Sequence, residues 1–355
     1  MKRVTYISSS TRDLSPVEVE QLGEYSIENN QNEEITGVLL YLNGIFFKII
    51  EGKSECIDRL YKKILADERH TNILCLKSEY NIQDRLFPNW SMKVIDTHET
   101  VEILRPIKSL LQTITESHRI LEYYTQPSVI HILNQGINPL SVLPQTINKV
   151  VFFSDILSFS TFTEKLPVAE VVTLVNQYFS ICSDIIVAHG GEVDKFMGDC
   201  VMASFLADQA DAAIEASLAL LAALKQLRQH AEAQSPSKML YTGIGLSYGP
   251  VIEGNMGSGI KMDYTLIGDS VNVAARLEAL TRHLSRALAL TAELKAQTQK
   301  NWNFIALGEH QVKGKQTPVE VYTLDDELTH LREAPVLAQL IGQTLEKRAR
   351  LHKPE

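Results

Sequence analysis

Asn43-Gly44 separates two apolar runs, "GVLLYL" and "IFFKIIEG", and this pair constrains the fold more tightly than any other local signal. Asn-Gly tolerates the positive backbone angles of a two-residue hairpin, so two antiparallel strands should meet there. On the second strand Ile45, Phe47 and Ile49 share one face, and Phe46, Lys48 and Ile50 share the other. Both faces are apolar, so both are expected to be covered, which is unusual for a small antiparallel sheet. Lys48 interrupts the second face. A buried ammonium needs partners or loses its charge; the plain alternative is a head group that reaches water at the sheet margin.

The segments around the hairpin complete a small domain. "RVTYISSS" reads as a strand, and "SPVEVEQLGEYSIENN" as a helix with Ser15 at its N-cap and Pro16 at its first position. "SECIDRLYKKILAD" is an amphipathic helix with Ile57, Leu60, Ile64 and Leu65 on one side. "NILCLKSEYNIQ" and "WSMKVI" supply the last strands. The order βαββαββ predicts a ferredoxin-like plait over residues 1–97, one sheet with two helices on one face.

Residues 98–148 read as a helical connector. Ile107, Leu110 or Leu111, Ile114, His118 and Leu121 recur at three- and four-residue steps between Pro106 and Pro127. That stripe can cover the back of the sheet or pair with its own copy in a dimer, and it is too short to separate the two. A second, similar plait is expected over 149–325, starting with "KVVFFSDI", and an amphipathic helix over 326–355. The fold class is therefore α+β, two ferredoxin-like domains joined by helices.

Composition sets outer bounds. A net charge of −9 argues against a broad nucleic-acid or acidic-membrane surface while leaving room for a local basic pocket. Cys56, Cys75, Cys182 and Cys200 lie far apart without a CxxC pair, so they read as reduced thiols of a cytoplasmic protein. No secretory leader is visible and no stretch is expected to span a membrane.

The chemistry concentrates in the second domain. Asp155 ends the apolar strand "VVFFSD", and Asp199 occupies a Gly-Asp turn between two apolar strands. Two carboxylates at neighbouring strand tips can hold divalent cations that bridge phosphates, although turns are rich in aspartate for ordinary reasons. "YTLIGDSVNVAARLEAL" then runs from a strand into a helix read as capped by Asp269, with Asn272 and Arg276 on one face. Asn and Arg beside small residues suit phosphate recognition and charge stabilisation. "VKGK" adds a glycine-flanked lysine, Lys313, able to reach a triphosphate.

"FFSDILSFSTFTEKLP", "GGEVDKFMGDCVMASF", "DYTLIGDSVNVAARLE" and "VKGK" together resemble the class III nucleotidyl cyclase homology domain. The resemblance implies attack of a nucleotide's ribose 3′-OH on its own α-phosphate at a site shared between two copies, hence a homodimer. It implies that Asp155 and Asp199 of one protomer bind two Mg²⁺ per site. Lys195 and Thr265 of the other would read the purine, Asn272 would orient the ribose, Arg276 would stabilise the transition state, and Lys313 would contact the terminal phosphates. Lys195 as donor and Thr265 as acceptor suit adenine, so ATP is the expected substrate and GTP the alternative.

"RVTYIS", "NNQNEEITGVLLY", "FFKIIEG", "DERH" and "FPNWSMKVI" resemble the BLUF domain, a flavin-binding blue-light sensor, and the whole chain resembles the bacterial photoactivated adenylyl cyclases. The resemblance implies FMN or FAD between the two helices of the plait. Tyr6 would be the electron and proton donor, Asn30 would bind the flavin carbonyl edge, and Trp90 and Met92 would flank the signalling strand. Asp67, Arg69 and His70 would lie near the ribityl and phosphate end. The family carries a glutamine where this chain has Lys48, and a charged lysine donates hydrogen bonds without accepting any. Flavin binding is therefore expected to survive, and the light response to be lost or altered. A flavin sensor whose second domain only dimerises is the remaining alternative, disfavoured because Asp155, Asp199, Asn272 and Arg276 are all present.

Overall fold

The computed structural model describes residues 1–42, 44–89, 93–96, 113–114, 116–117, 120–121, 124–135, 137–232, 235–312, 315, 317–332 and 336–351. They form two compact units, Met1–Val142 and Leu143–Glu355.

In the first unit the order is β1 (Lys2–Ser10), α1 (Pro16–Asn32), β2 (Thr36–Leu42), β3 (Ile45–Gly52), α2 (Ser54–Leu65), β4 (His70–Tyr80) and β5 (Lys93–Asp96). The sheet runs β4-β1-β3-β2-β5, so β3 is central. The hairpin forms as expected, and Gly44 takes a φ of 82°, a region open to glycine without steric cost. Ser15 caps α1: its side chain accepts from Glu18 N, while Glu18 Oε2 accepts from Ser15 N at 2.9 Å.

Helices α1 and α2 cover one face of this sheet. Val4, Tyr6, Leu39, Phe46 and Ile50 pack there against Val19, Ile57, Tyr61 and Ile64. Tyr61 takes the buried place that spacing assigned to Leu65, which is exposed, because the sheet contacts a slightly rotated stripe of α2. The opposite face is covered too: Ile7 and Leu74 are buried, with Ile45, Phe47, Leu76 and Ile114 packed on them. Ile114 belongs to the connector stripe and lies against the back of the sheet; most of that stripe falls outside the described residues. A short helix, α3 (Pro127–Asn134), follows.

The second unit contains β6 (Gln145–Ile156), α4 (Phe159–Lys165), α5 (Val168–Ala188), β7 (Glu192–Met197), β8 (Cys200–Leu206), α6 (Ala210–His230), β9 (Thr242–Gly257), β10 (Met262–Ile267) and α7 (Asp269–Leu284). It ends with β11 (Leu288–Thr291), α8 (Ala292–Gln297), β12 (Phe304–His310), β13 (Val319–Leu324) and α9 (Leu337–Leu351). The sheet order is β12-β13-β11-β9-β6-β8-β7, with β10 paired to β9. The main core holds Phe152, Phe162, Leu174, Tyr178, Leu220 and Ile244.

Helix α7 lies against β9 at close range. A Cβ on Gly245 would fall 2.1 Å from Ala274 O and 2.3 Å from Glu278 N, so only glycine permits the approach. Helix α5 corrects one expectation: it is long and apolar enough to cross a membrane. Its apolar face has a local explanation, since Leu174, Tyr178, Cys182 and Ile186 are buried in the domain core. The four cysteines are free thiols.

Candidate active site and cofactor pocket

Between α1 and α2 lies a cavity of about 200 Å³. Leu22, Ile35, Leu39 and Ile64 give it apolar walls, and Asn30, Lys48, Asp67, Arg69 and His70 supply its polar groups. The structure thus gathers five of the pocket candidates around one space, while Trp90 and Met92 lie outside the described residues. Arg69 grips Asp67 through Nε to Oδ1 at 2.9 Å and Nη2 to Oδ2 at 2.5 Å, which holds the Asp67 carboxyl at about 2. His70 Nδ1 lies 2.8 Å from Ser8 Oγ, and burial above all lowers its ionisation to about 4, keeping it neutral.

Lys48 does not reach water at a sheet margin. It is buried in the central strand and, among the described residues, makes no hydrogen bond or ion pair. Burial first and then the Arg69 guanidinium lower its pKa to about 8. Tyr6 faces it from β1, fully buried, with its hydroxyl unpartnered among the described residues. Burial pushes that hydroxyl well above the ordinary tyrosine range. A cavity with apolar walls on one side and several hydrogen-bonding side chains on the other fits a flat ring system with polar edges.

The second unit builds its acidic site at the end of β6. A buried network fixes that end: Ser154 Oγ, Tyr178 Oη and Thr242 Oγ1 lie mutually within 2.5–2.8 Å, and Thr242 Oγ1 donates to Asp155 O at 2.8 Å. Asp199 follows Gly198 (φ 68°) in the turn between β7 and β8. Burial, then the adjacent Asp155 carboxyl, raises Asp199 to about 7. Asp155 Oδ1 is buried and, among the described residues, meets no donor. Crowded carboxylates with an unsatisfied oxygen are a donor set that suits divalent magnesium with phosphate oxygens completing the shell. Among the described residues no group of three metal-ligating side chains is gathered, so the pair stands without a third protein ligand.

The remaining candidates sit elsewhere on the unit. Lys195 is half-buried at an irregularity where β7 pairs with β8, and Thr265 is buried in β10 opposite Gly254. They flank a charged cluster that sequence reasoning missed, in which Lys149 Nζ pairs with Glu253 Oε1 at 2.8 Å. Asp194, also in that cluster, is raised to about 7, mainly by burial. Asn272 is exposed and Arg276 half-buried, one turn apart on α7. Asp269 does not cap this helix: Gly268 is the N-cap, and the Asp269 carboxylate pairs with Lys315 at 2.7 Å beside a cavity of about 430 Å³. Lys313 lies outside the described residues. Two further groups near Asp155 were also missed, Glu278 and Arg282; in sequence they read as an ordinary helical i,i+4 pair. Burial and then Asp155 raise Glu278 to about 8.

Comparison with known proteins agrees with both halves. Residues 1–93 match the BLUF family, described as sensors of blue-light using FAD, and residues 142–326 match the adenylate and guanylate cyclase catalytic domain. The solved structure of a bacterial light-regulated adenylyl cyclase is 61% identical, covers 97% of this chain and 100% of its own, and superposes with a TM-score of 0.83. Photoactivated adenylate cyclase subunit beta of Euglena gracilis is 31% identical over 289 residues, 81% of this chain and 34% of the relative. Subunit alpha of the same organism is 30% identical over 81% of this chain and 28% of the relative. The chain thus spans about a third of the length of these curated relatives. With both domains matched and a relative this similar end to end, the chain belongs to the family that couples a BLUF domain to an adenylate and guanylate cyclase catalytic domain.

Proposed function

We propose that this chain is an adenylyl cyclase that converts ATP into 3′,5′-cyclic AMP and pyrophosphate under the control of a flavin-loaded BLUF domain. The observation that carries the reading is the crowded Asp155–Asp199 pair at the strand ends, with Lys195, Thr265, Asn272 and Arg276 placed on other elements of the same unit. One chain then holds two different half-sites, and a homodimer completes two whole ones.

Asp155 and Asp199 would hold two Mg²⁺, which would supply acidification of the ribose hydroxyl and charge neutralisation for the departing phosphates. Lys195 donates to a purine ring nitrogen and Thr265 accepts from the adenine amino group. Asn272 orients the ribose so that O3′ lines up with the α-phosphorus. The new bond joins O3′ to that phosphorus, the bond to the bridging β-phosphate oxygen breaks, and the hydroxyl proton leaves to solvent. Arg276 spreads the charge that accumulates on the phosphoryl oxygens. Lys313 takes the terminal phosphates.

A flavin, as FMN or FAD, would lie between α1 and α2 with Asn30 at its carbonyl edge and Asp67, Arg69 and His70 at its ribityl end. When bound it supplies blue-light absorption and an electron acceptor for Tyr6. Trp90 and Met92 would flank the strand that reports the change. Lys48 occupies the place where an amide would both donate and accept, so light drives the cyclase less than an amide would permit. The working division is 1–97 sensor, 98–148 connector, 149–325 cyclase and 326–355 tail, in a cytoplasmic homodimer with neither nucleic acid nor membrane as partner. Supporting the cytoplasmic assignment are the free thiols and a nucleotide substrate.

Cyclic AMP formed from Mg·ATP in darkness and under blue light tests the reading. Product in both conditions at similar rates supports a cyclase weakly coupled to light through Lys48. GTP turned over in preference to ATP would favour the guanylyl alternative, and no product from either would overturn the enzymatic reading.

A further inference from the structure

Arg282 reaches from α7 to the end of β6. Its Nη2 donates to Asp155 Oδ2 at 2.9 Å and lies 3.6 Å from Glu278 Oε1, one turn back on the same helix. Both acids have an oxygen to spare, since among the described residues Asp155 Oδ1 and Glu278 Oε1 are buried without hydrogen-bond donors. Glu278 is held there by the close packing of α7 on β9: a Cβ on Gly243 would meet Thr281 Oγ1 at 2.2 Å and Glu278 Oε1 at 3.0 Å.

A guanidinium carries five N–H groups in a rigid fork and can serve two carboxylates in turn. A divalent ion arriving at Asp155 meets a positive charge already seated on Oδ2, and like charges at that range repel. Glu278 offers the displaced guanidinium an unsatisfied acceptor within a small movement. Arg282 is also the more exposed partner, with 43% of its side chain exposed against 7% for Glu278.

We propose that Arg282 is a placeholder cation, seated on Asp155 while metal is absent and passed to Glu278 when metal enters. Arg282 and Glu278 are then positioning residues that set how readily the acidic pair takes up an ion. The inference rests on the reading of Asp155 and Asp199 as metal ligands. The alternative is a static clasp that staples α7 to β6, in which case loss of either residue loosens the site.

The two accounts separate by sign. Mn²⁺ binding to the full chain, measured by calorimetry in darkness without nucleotide, should tighten about fivefold in Arg282→Met, the worth of a part-exposed ion pair. In Glu278→Leu it should weaken by a similar factor, because the guanidinium loses its second seat. Affinities that fall together, or that do not change, overturn the proposal. Asp199→Asn tests the underlying reading: if it binds Mn²⁺ like the unaltered chain, the metal assignment itself fails. If it loses binding while the other two variants move together, only the placeholder role fails. On the unaltered chain the Arg282 Nε–H signal in NMR, assigned through Arg282→Lys, should shift as Mg²⁺ is added. A stationary signal overturns the proposal even where a variant does not fold.

Discussion

Tyr6 and Lys48 face each other across the β1–β3 ladder on the helix-covered side of the sheet, and the Tyr6 hydroxyl meets no hydrogen-bond partner among the described residues. A charged lysine has three hydrogens to give and no lone pair with which to accept the phenol's proton. The pair can therefore be linked by one hydrogen bond of fixed direction, from lysine to tyrosine, and cannot reverse it.

Replacing Lys48 by glutamine restores a group that both donates and accepts. The flavin-loaded Lys48→Gln protein is expected to show a red-shifted absorption band after blue light that the unaltered chain lacks. Its light-to-dark ratio of cyclic AMP formation should rise by at least about tenfold, a change of about 1.4 kcal/mol in differential stabilisation. A difference spectrum identical to that of the unaltered chain would remove Lys48 from the account of signalling.

The same lysine makes flavin-free stability depend on pH. Its pKa is about 8 in the folded chain against 10.5 for an exposed lysine, so between those values the unfolded chain binds more protons. Stability therefore rises with pH across that window, and the burial penalty is complete below it. Lys48→Met should stabilise the flavin-free protein by on the order of 3 kcal/mol more at pH 7 than at pH 10.5, read from urea unfolding. A gain independent of pH would mean that Lys48 finds water or a partner in the folded state.

Asp199 has the opposite sign. Its carboxyl is raised to about 7, so the metal-free fold loses stability as pH rises toward that value, and bound metal should reverse the loss. Metal needs the ionised acid, so Mg²⁺ affinity should fall by about tenfold per unit as pH drops below 7. Calorimetry from pH 5.5 to 8 checks the slope. Asp199→Asn should abolish the slope and cut turnover by at least about a hundredfold, with chelation doing the same to the unaltered chain.

Base choice should follow Lys195 and Thr265. Lys195→Glu combined with Thr265→Cys replaces a donor by an acceptor toward the purine ring. The ratio of kcat/KM for ATP over GTP is expected to fall by about a hundredfold or more, since the new carboxylate would face an acceptor nitrogen of adenine but a donor of guanine. An unchanged ratio would place the base elsewhere.

A site shared between copies predicts complementation. Asp199→Asn and Arg276→Ala should each be nearly inactive alone. Co-expressed, they form mixed dimers in half of the random pairings, each with one whole site, so about a quarter of full activity should return. No recovery would argue for a site built within one chain.

The elements were legible in the sequence where local rules agree. Asn43-Gly44, Ser15-Pro16 and the "GD" turns each act within a few residues, and the βαββαββ order forms as read. What stayed hidden depends on contacts between distant positions. Nothing near Glu278 announces that Gly243 and Gly245 let its helix sink toward Asp155, and Asp269 was misread because its carboxylate turns to Lys315, far along the chain. Helix α5 was underestimated: no stretch was expected to be long and apolar enough to cross a membrane, and this one is, because a helix with a buried apolar stripe can share the composition of a span.

Strand β9 has sixteen residues, about 50 Å of extended backbone. Thr242 at its start fastens the carbonyl of Asp155, and Gly254 near its end lies opposite Thr265. Twelve consecutive pairings to β6 stiffen the span between them. The segment thus works as a stiff tie between two distant places: a displacement of the β9–β10 hairpin should be felt at the carbonyl of Asp155, with few compliant joints between them.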